Sequence, residues 1–155
     1  MIRSNALRSG AAVVLALVAA ASLADDAGLA ELAAARERWQ STLSGDYALA
    51  YRKFCECNRT APPETTVTVA GGRIVSVSHR HEDTGTEVPA REGSLELYWT
   101  IDGLFDKLAR ALANDAVVRV AYDPGQGYPT SLFIDYAPAL IGDETDLRQI
   151  RVEVP

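Results

Sequence analysis

Thr65-Thr66-Val67-Thr68-Val69-Ala70-Gly71-Gly72-Arg73-Ile74-Val75-Ser76-Val77-Ser78-His79-Arg80 decides the fold class of this chain. Two runs rich in β-branched residues flank a glycine pair. Such residues suit the pleated, half-buried surface of a sheet. Gly-Gly suits a two-residue hairpin turn whose central residues need φ above zero. The stretch reads as a β-hairpin, with strands over 65–70 and 73–80. Val75 and Val77 are expected on one face of the second strand, with Ser76 and Ser78 on the other.

On the N-terminal side, Pro62-Pro63 breaks the chain. Before it, residues 46–57 alternate Tyr47, Leu49 and Tyr51 with smaller or polar neighbours, the pattern of another strand. Leu29, Leu32, Ala33, Trp39 and Leu43 recur at helical spacing, so 27–43 reads as an amphipathic helix with Arg36 at the rim of its apolar stripe. Gly45 ends it. On the C-terminal side, residues 82–99 are polar and hold Gly85, Pro89 and Gly93. They read as a loop or flap with a short strand at 95–99. Thr100 then caps a second helix, in which Ile101, Leu104, Phe105, Leu108 and Leu112 share a face and Asp102 meets the positive end of the dipole. Strands follow at 116–122, 130–136 and 147–154. The first two are joined by Asp123-Pro124-Gly125-Gln126-Gly127-Tyr128-Pro129. The order is helix and three strands, twice. It implies an α+β fold: an antiparallel sheet of about six strands with two amphipathic helices on one face, and the repeat of elements raises a degenerate duplication.

The N-terminus reads as an address. Arg3 and Arg8 precede the apolar run Ala11–Ala21, then Ser22-Leu23-Ala24 and Asp25-Asp26. A charged, an apolar and a small-residue region in that order mark a secretory signal peptide, cleaved after Ala24. The apolar run from Gly10 to Ala24 is shorter than the ~20 residues a membrane helix needs. No cysteine near the cleavage point offers a lipid anchor. Removing residues 1–24 of 155 leaves 131, one domain's worth. With two arginines gone, 13 basic residues face 21 acidic ones, a net charge of −8. That balance argues against nucleic acid or an anionic membrane as partner. The chain is expected in the periplasm or outside the cell, without a membrane anchor after cleavage.

Cys55 and Cys57 are the only cysteines. Strand residues two apart lie about 6.6 Å apart, and a disulfide spans roughly 4.4–6.8 Å, so a Cys55–Cys57 bond needs a local kink. Export favours oxidation, although so small a loop gains little from closure. A strained bond of this kind could also be redox-active. His79 and His81, spaced alike, complete a donor set for tetrahedral zinc or soft copper. Yet the strand at 64–70 would separate the histidines from the cysteines by about 9–10 Å, too far to share a metal. The 122–129 turn is no phosphate loop, since it lacks Gly-Lys-Ser/Thr and joins two strands. It reads as a rigid turn held by Asp123, or as a recognition loop presenting Tyr122, Asp123 and Tyr128 near Asp135. Asp143, Glu144 and Asp146 read as a solvated acidic loop, without the calcium-loop pattern.

Several of these strings together resemble a bacterial family, the domain of unknown function 6174. They are Trp39, Tyr47-x-x-x-Tyr51-x-x-x-Cys55-x-Cys57, the hairpin ending in Arg73–Val77, Thr100-Ile101-Asp102-x-Leu104-Phe105, and Tyr122-Asp123-Pro124-x-x-Gly127-Tyr128-Pro129 with Asp135. The resemblance implies an exported or lipid-anchored envelope domain. It carries no activity and no catalytic residues. No cofactor is implied. The reading that follows is a non-enzymatic binding or interaction domain whose partner is an unknown envelope protein or a small ligand. A thiol-redox or metal-handling protein using Cys55 and Cys57 is the alternative, and a hydrolase or lyase with a carboxylate site comes third.

Overall fold

Gly71 and Gly72 take φ values of 56° and 74°, the left-handed turn their sequence calls for. In this computed structural model, residues 28–42, 45–55, 62–140 and 142–154 are described. The turn joins β2 (Glu64–Ala70) to β3 (Arg73–Arg80) in an antiparallel hairpin. The expected signal peptide, Leu43 and Cys57 lie outside the described residues.

Helix α1 covers residues 28–42. It buries Leu32, Ala35 and Trp39 and leaves Leu29 and Ala33 exposed, so its apolar stripe is rotated from the expected one. β1 (Tyr47–Phe54) follows, stopping short of the expected 46–57. Tyr47, Leu49 and Tyr51 are buried on one face, as alternation requires. Helix α2 (Ile101–Leu112) is capped by the Thr100 hydroxyl, which accepts from the Gly103 N–H at 3.0 Å. A second orphan donor, the Ile101 N–H, is satisfied by the buried Tyr47 hydroxyl at 3.0 Å. α2 buries Ile101, Leu104, Phe105, Leu108 and Ala111, with Ala111 in the place expected for Leu112. β5 (Val117–Tyr122), β6 (Pro129–Asp135) and β7 (Thr145–Glu153) complete the order.

Three local readings are corrected. A β-bulge between Thr68 and Val69 breaks the β2–β3 register, placing Val69 opposite Ile74. Val75 is thereby turned out, 53% exposed, while Ile74 packs against the core. Leu95–Leu97 is a 3-10 turn, not a strand. The flap's strand is instead β4 (Glu87–Pro89), three exposed residues pairing with the end of β3. It has no alternation to read, since it is held only by the partner it pairs with. The described sheet thus has seven strands rather than about six.

The strand order is β4-β3-β2-β1-β7-β6-β5, antiparallel throughout. Both helices pack on one face, joined by the Arg36–Asp106 ion pair at 2.9 Å. Across the sheet both halves run in the same sense, third strand to first, yet β5 points opposite to β1. With both helices on one face, only a mirror operation would relate the halves, and L-residue structures do not superpose on mirror images. The repeated order of elements is therefore not a spatial duplication.

Candidate functional site

Cys55 follows β1 directly and is exposed, and no free cysteine is found among the described residues. β2 lies between β1 and β3, so it separates the Cys55 end of β1 from the histidine end of β3. The His79 ring is held on both sides: Nδ1 is 3.1 Å from the Thr65 hydroxyl and Nε2 is 2.9 Å from the Tyr98 hydroxyl. Burial, with the nearby His81 second, pushes its pKa down. Thr65 also sits opposite Tyr51, whose hydroxyl is pushed up by burial and by Tyr98. His79 thus pins the 3-10 segment to the sheet, while His81 is exposed beyond it. Among the described residues no group of three or more His, Cys, Asp or Glu side chains could hold a metal ion.

The Tyr122–Pro129 turn is the seat of α1. Asp123 Oδ1 accepts from the N–H groups of Gly125 at 3.0 Å and Gln126 at 2.6 Å. Gly127 has φ 84°, and a Cβ there would overlap the Ala35 carbonyl oxygen and come within 2.8 Å of Arg38 Cβ. Only glycine lets the turn approach the helix this closely. The Tyr128 ring meets Trp39 edge-on at 6.2 Å, and Tyr122 stacks on Phe105 at 6.3 Å. Burial raises both phenols. Asp135 lies apart from these rings. It accepts from the Ala137 N–H at 3.1 Å and lines a groove on the other side of the sheet.

That groove was not indicated by any motif. It lies on the face without helices and encloses about 530 Å³. Phe54, Asp146, Phe133 and Arg119 form one row across β1, β7, β6 and β5. The Arg119 guanidinium carbon stands 4.1 Å from the Phe133 ring centroid, and that of Arg148 stands 4.4 Å from the Phe54 centroid. Arg148 also donates from Nε (3.0 Å) and from the terminal nitrogen (2.6 Å) to the two oxygens of Asp146. Glu144 and Cys55 lie on the walls. Of the acidic loop, Glu144 accepts from the Gly142 N–H at 2.9 Å, while Asp143 Oδ1 is buried without a hydrogen-bond partner among the described residues. A groove with two aromatic faces, each already covered by a guanidinium, and with carboxylates between them, can orient a polar ligand. Its signal in the sequence is the pair of Arg and Phe residues on the outward positions of four strands. Those positions become neighbours only once the register is known.

On the same face, the Arg151–Glu64 ion pair (2.7 Å) joins β7 to β2 and so crosses over β1. Ala50 lies directly opposite Arg151 and is only 7% exposed, its small side chain leaving room for the bridge. Arg52, 9% exposed, donates to the Pro62 carbonyl at 2.7 Å, to Gln149 at 3.1 Å and to Glu82 at 2.6 Å. No described helix is long and apolar enough to cross a membrane.

A family model matches residues 31–153, and its description is "family of unknown function" (DUF6174). No curated protein and no solved structure matches the chain.

Proposed function

The chain belongs to the family of unknown function DUF6174, and from that premise we propose an exported, non-catalytic binding domain. Its partner, an envelope protein or a small ligand, seats in the groove on the helix-free face. The observation that carries this reading is the row Phe54, Asp146, Phe133 and Arg119, with a guanidinium stacked on each ring. Stacking fixes the plane of each guanidinium. One edge of Arg148 is held by Asp146, and its remaining N–H groups with those of Arg119 are a preorganised way to meet carboxylate or backbone carbonyl groups. Export is part of the proposal: residues 1–24 carry the charged, apolar and small-residue regions of a signal, cut after Ala24. So is a Cys55–Cys57 disulfide, supported by Cys55 not being a free thiol.

The test is capture from envelope extract by residues 25–155, beside the same chain carrying Arg119→Ala and Arg148→Ala. The expected result is a saturable partner whose binding falls about tenfold or more in the variant, with melting unchanged. Equal capture by both overturns the groove. N-terminal sequencing of the exported protein should begin at Asp25, and a retained Met1 overturns export. A thiol-redox reading is favoured by one observation, the position of Cys55 on the groove wall. Disulfide-exchange activity abolished by Cys55→Ser with Cys57→Ser, while partner binding persists, would put that reading first.

A further inference from the structure

The chain has thirteen arginines and two lysines, and the two lysines come together on one indole. Lys53 Nζ stands 5.5 Å from the Trp99 ring centroid and Lys107 Nζ stands 5.3 Å from it. Lys107 Nζ is also 5.4 Å from the centroid of Tyr136. The two cations arrive from different elements. Lys53 sits near the end of β1 opposite Leu147, so it faces the helix layer, while Lys107 projects from the middle of α2. Trp99 lies just before the cap of α2.

Every ion pair among the described residues is made by an arginine, and none involves either lysine. Two like charges held near one ring repel each other, and the sheltered one is partly stripped of water. The Lys107 amine is accordingly pushed down, first by burial and then by Lys53 and Arg110. An oxyanion placed between the ammonium groups removes the repulsion and replaces the lost water with charge-assisted hydrogen bonds. An aromatic body behind the oxyanion would meet the rings of Trp99 and Tyr136.

We propose that Lys53, Lys107, Trp99 and Tyr136 form a binding site for a small organic oxyanion, a carboxylate or phosphate carried on a planar ring. The site lies on the opposite side of the sheet from the groove and does not rest on the groove reading.

The probes are benzoate, phenyl phosphate, inorganic phosphate and uncharged benzyl alcohol, titrated into residues 25–155 while the Trp99 indole N–H and the lysine ammonium groups are followed by NMR. Benzoate or phenyl phosphate should bind saturably and shift Trp99 but not the buried Trp39. Lys53→Gln and Lys107→Gln should each weaken binding about tenfold, and Lys107→Arg should restore part of the loss. Inorganic phosphate binding as tightly as phenyl phosphate would remove the planar ring from the proposal. Equal response to benzyl alcohol, no saturation, or undiminished binding in both glutamine variants would overturn the site. Lys53 is exposed on the sheet, so its variant tests the proposal without disturbing the core.

Discussion

The two faces of the sheet are built from alternate residues of the same strands, yet they are held by different forces. Under the helices, Leu49, Val67, Val69, Leu132, Ile134 and Leu147 meet Leu104, Phe105 and Leu108 with no charge among them. Burial of apolar area there is worth about 25 cal/mol per Å² and is indifferent to direction. On the opposite face the joins are directional: Arg151 to Glu64 across β1, Arg52 to three partners, and arginines stacked on phenylalanines. One face sets how stable the domain is. The other fixes where particular groups stand, through contacts that depend on direction.

The sharpest way to break the contrast is to cut the apolar face. Phe105→Ala should cost about 3–5 kcal/mol, through lost transfer and an unfilled cavity. It should show as a lower urea midpoint with unchanged slope. Next comes the turn that seats α1. Gly127→Ala should cost about 2 kcal/mol or more, combining left-handed strain with overlap against the helix backbone, and differential scanning calorimetry should register the lower melting temperature. On the polar face, Arg52→Met leaves the Pro62 carbonyl without its donor and should cost about 1–3 kcal/mol in the same urea experiment. Arg151→Ala removes a pair whose arginine is about half exposed and should cost about 1 kcal/mol or less, shrinking further in high salt. A larger loss from Arg151→Ala than from Phe105→Ala would reverse the comparison.

The smallest effect sharpens it at the flap. His79 has a lowered pKa, caused first by burial, so the unfolded chain takes up its proton at higher pH than the folded one. Its contribution to stability is whole above about pH 6.5 and is lost as pH falls through the folded value. Unfolding midpoints measured from pH 7.5 down to 5 should fall less in His79→Asn than in the parent.

Much of the fold was legible because local signals agree with the final packing. Gly71-Gly72 gives its turn, Thr100 its cap, and Tyr47, Leu49 and Tyr51 their buried face. The misreadings occur where tertiary structure overrules locality. Val75 follows the alternation, but the bulge opposite Thr68 turns it outward. β4 has neither alternation nor apolar residues at both ends, and it exists because β3 offers it an edge. Ala35 rather than Ala33 is buried because α1 is rotated to meet Gly127. The candidate sites were the least readable. Arg119, Phe133, Asp146 and Phe54 come from four strands, and Lys53 lies far from Lys107 in sequence. The scarcity of lysine was the one hint that those two residues are special.

The position of β7 also sets an order of events in time. The last described strand is inserted between β1 and β6, in the middle of the sheet. Until residues 145–153 have left the ribosome, the β1 side and the β5–β6 hairpin share no strand pairing. A nascent chain is then two separate ribbons, each with an exposed edge. Its longest-range bonds, such as Arg52 to Gln149, form only once that segment has emerged. High contact order of this kind slows folding, so the two ribbons keep their open edges until β7 arrives to join them.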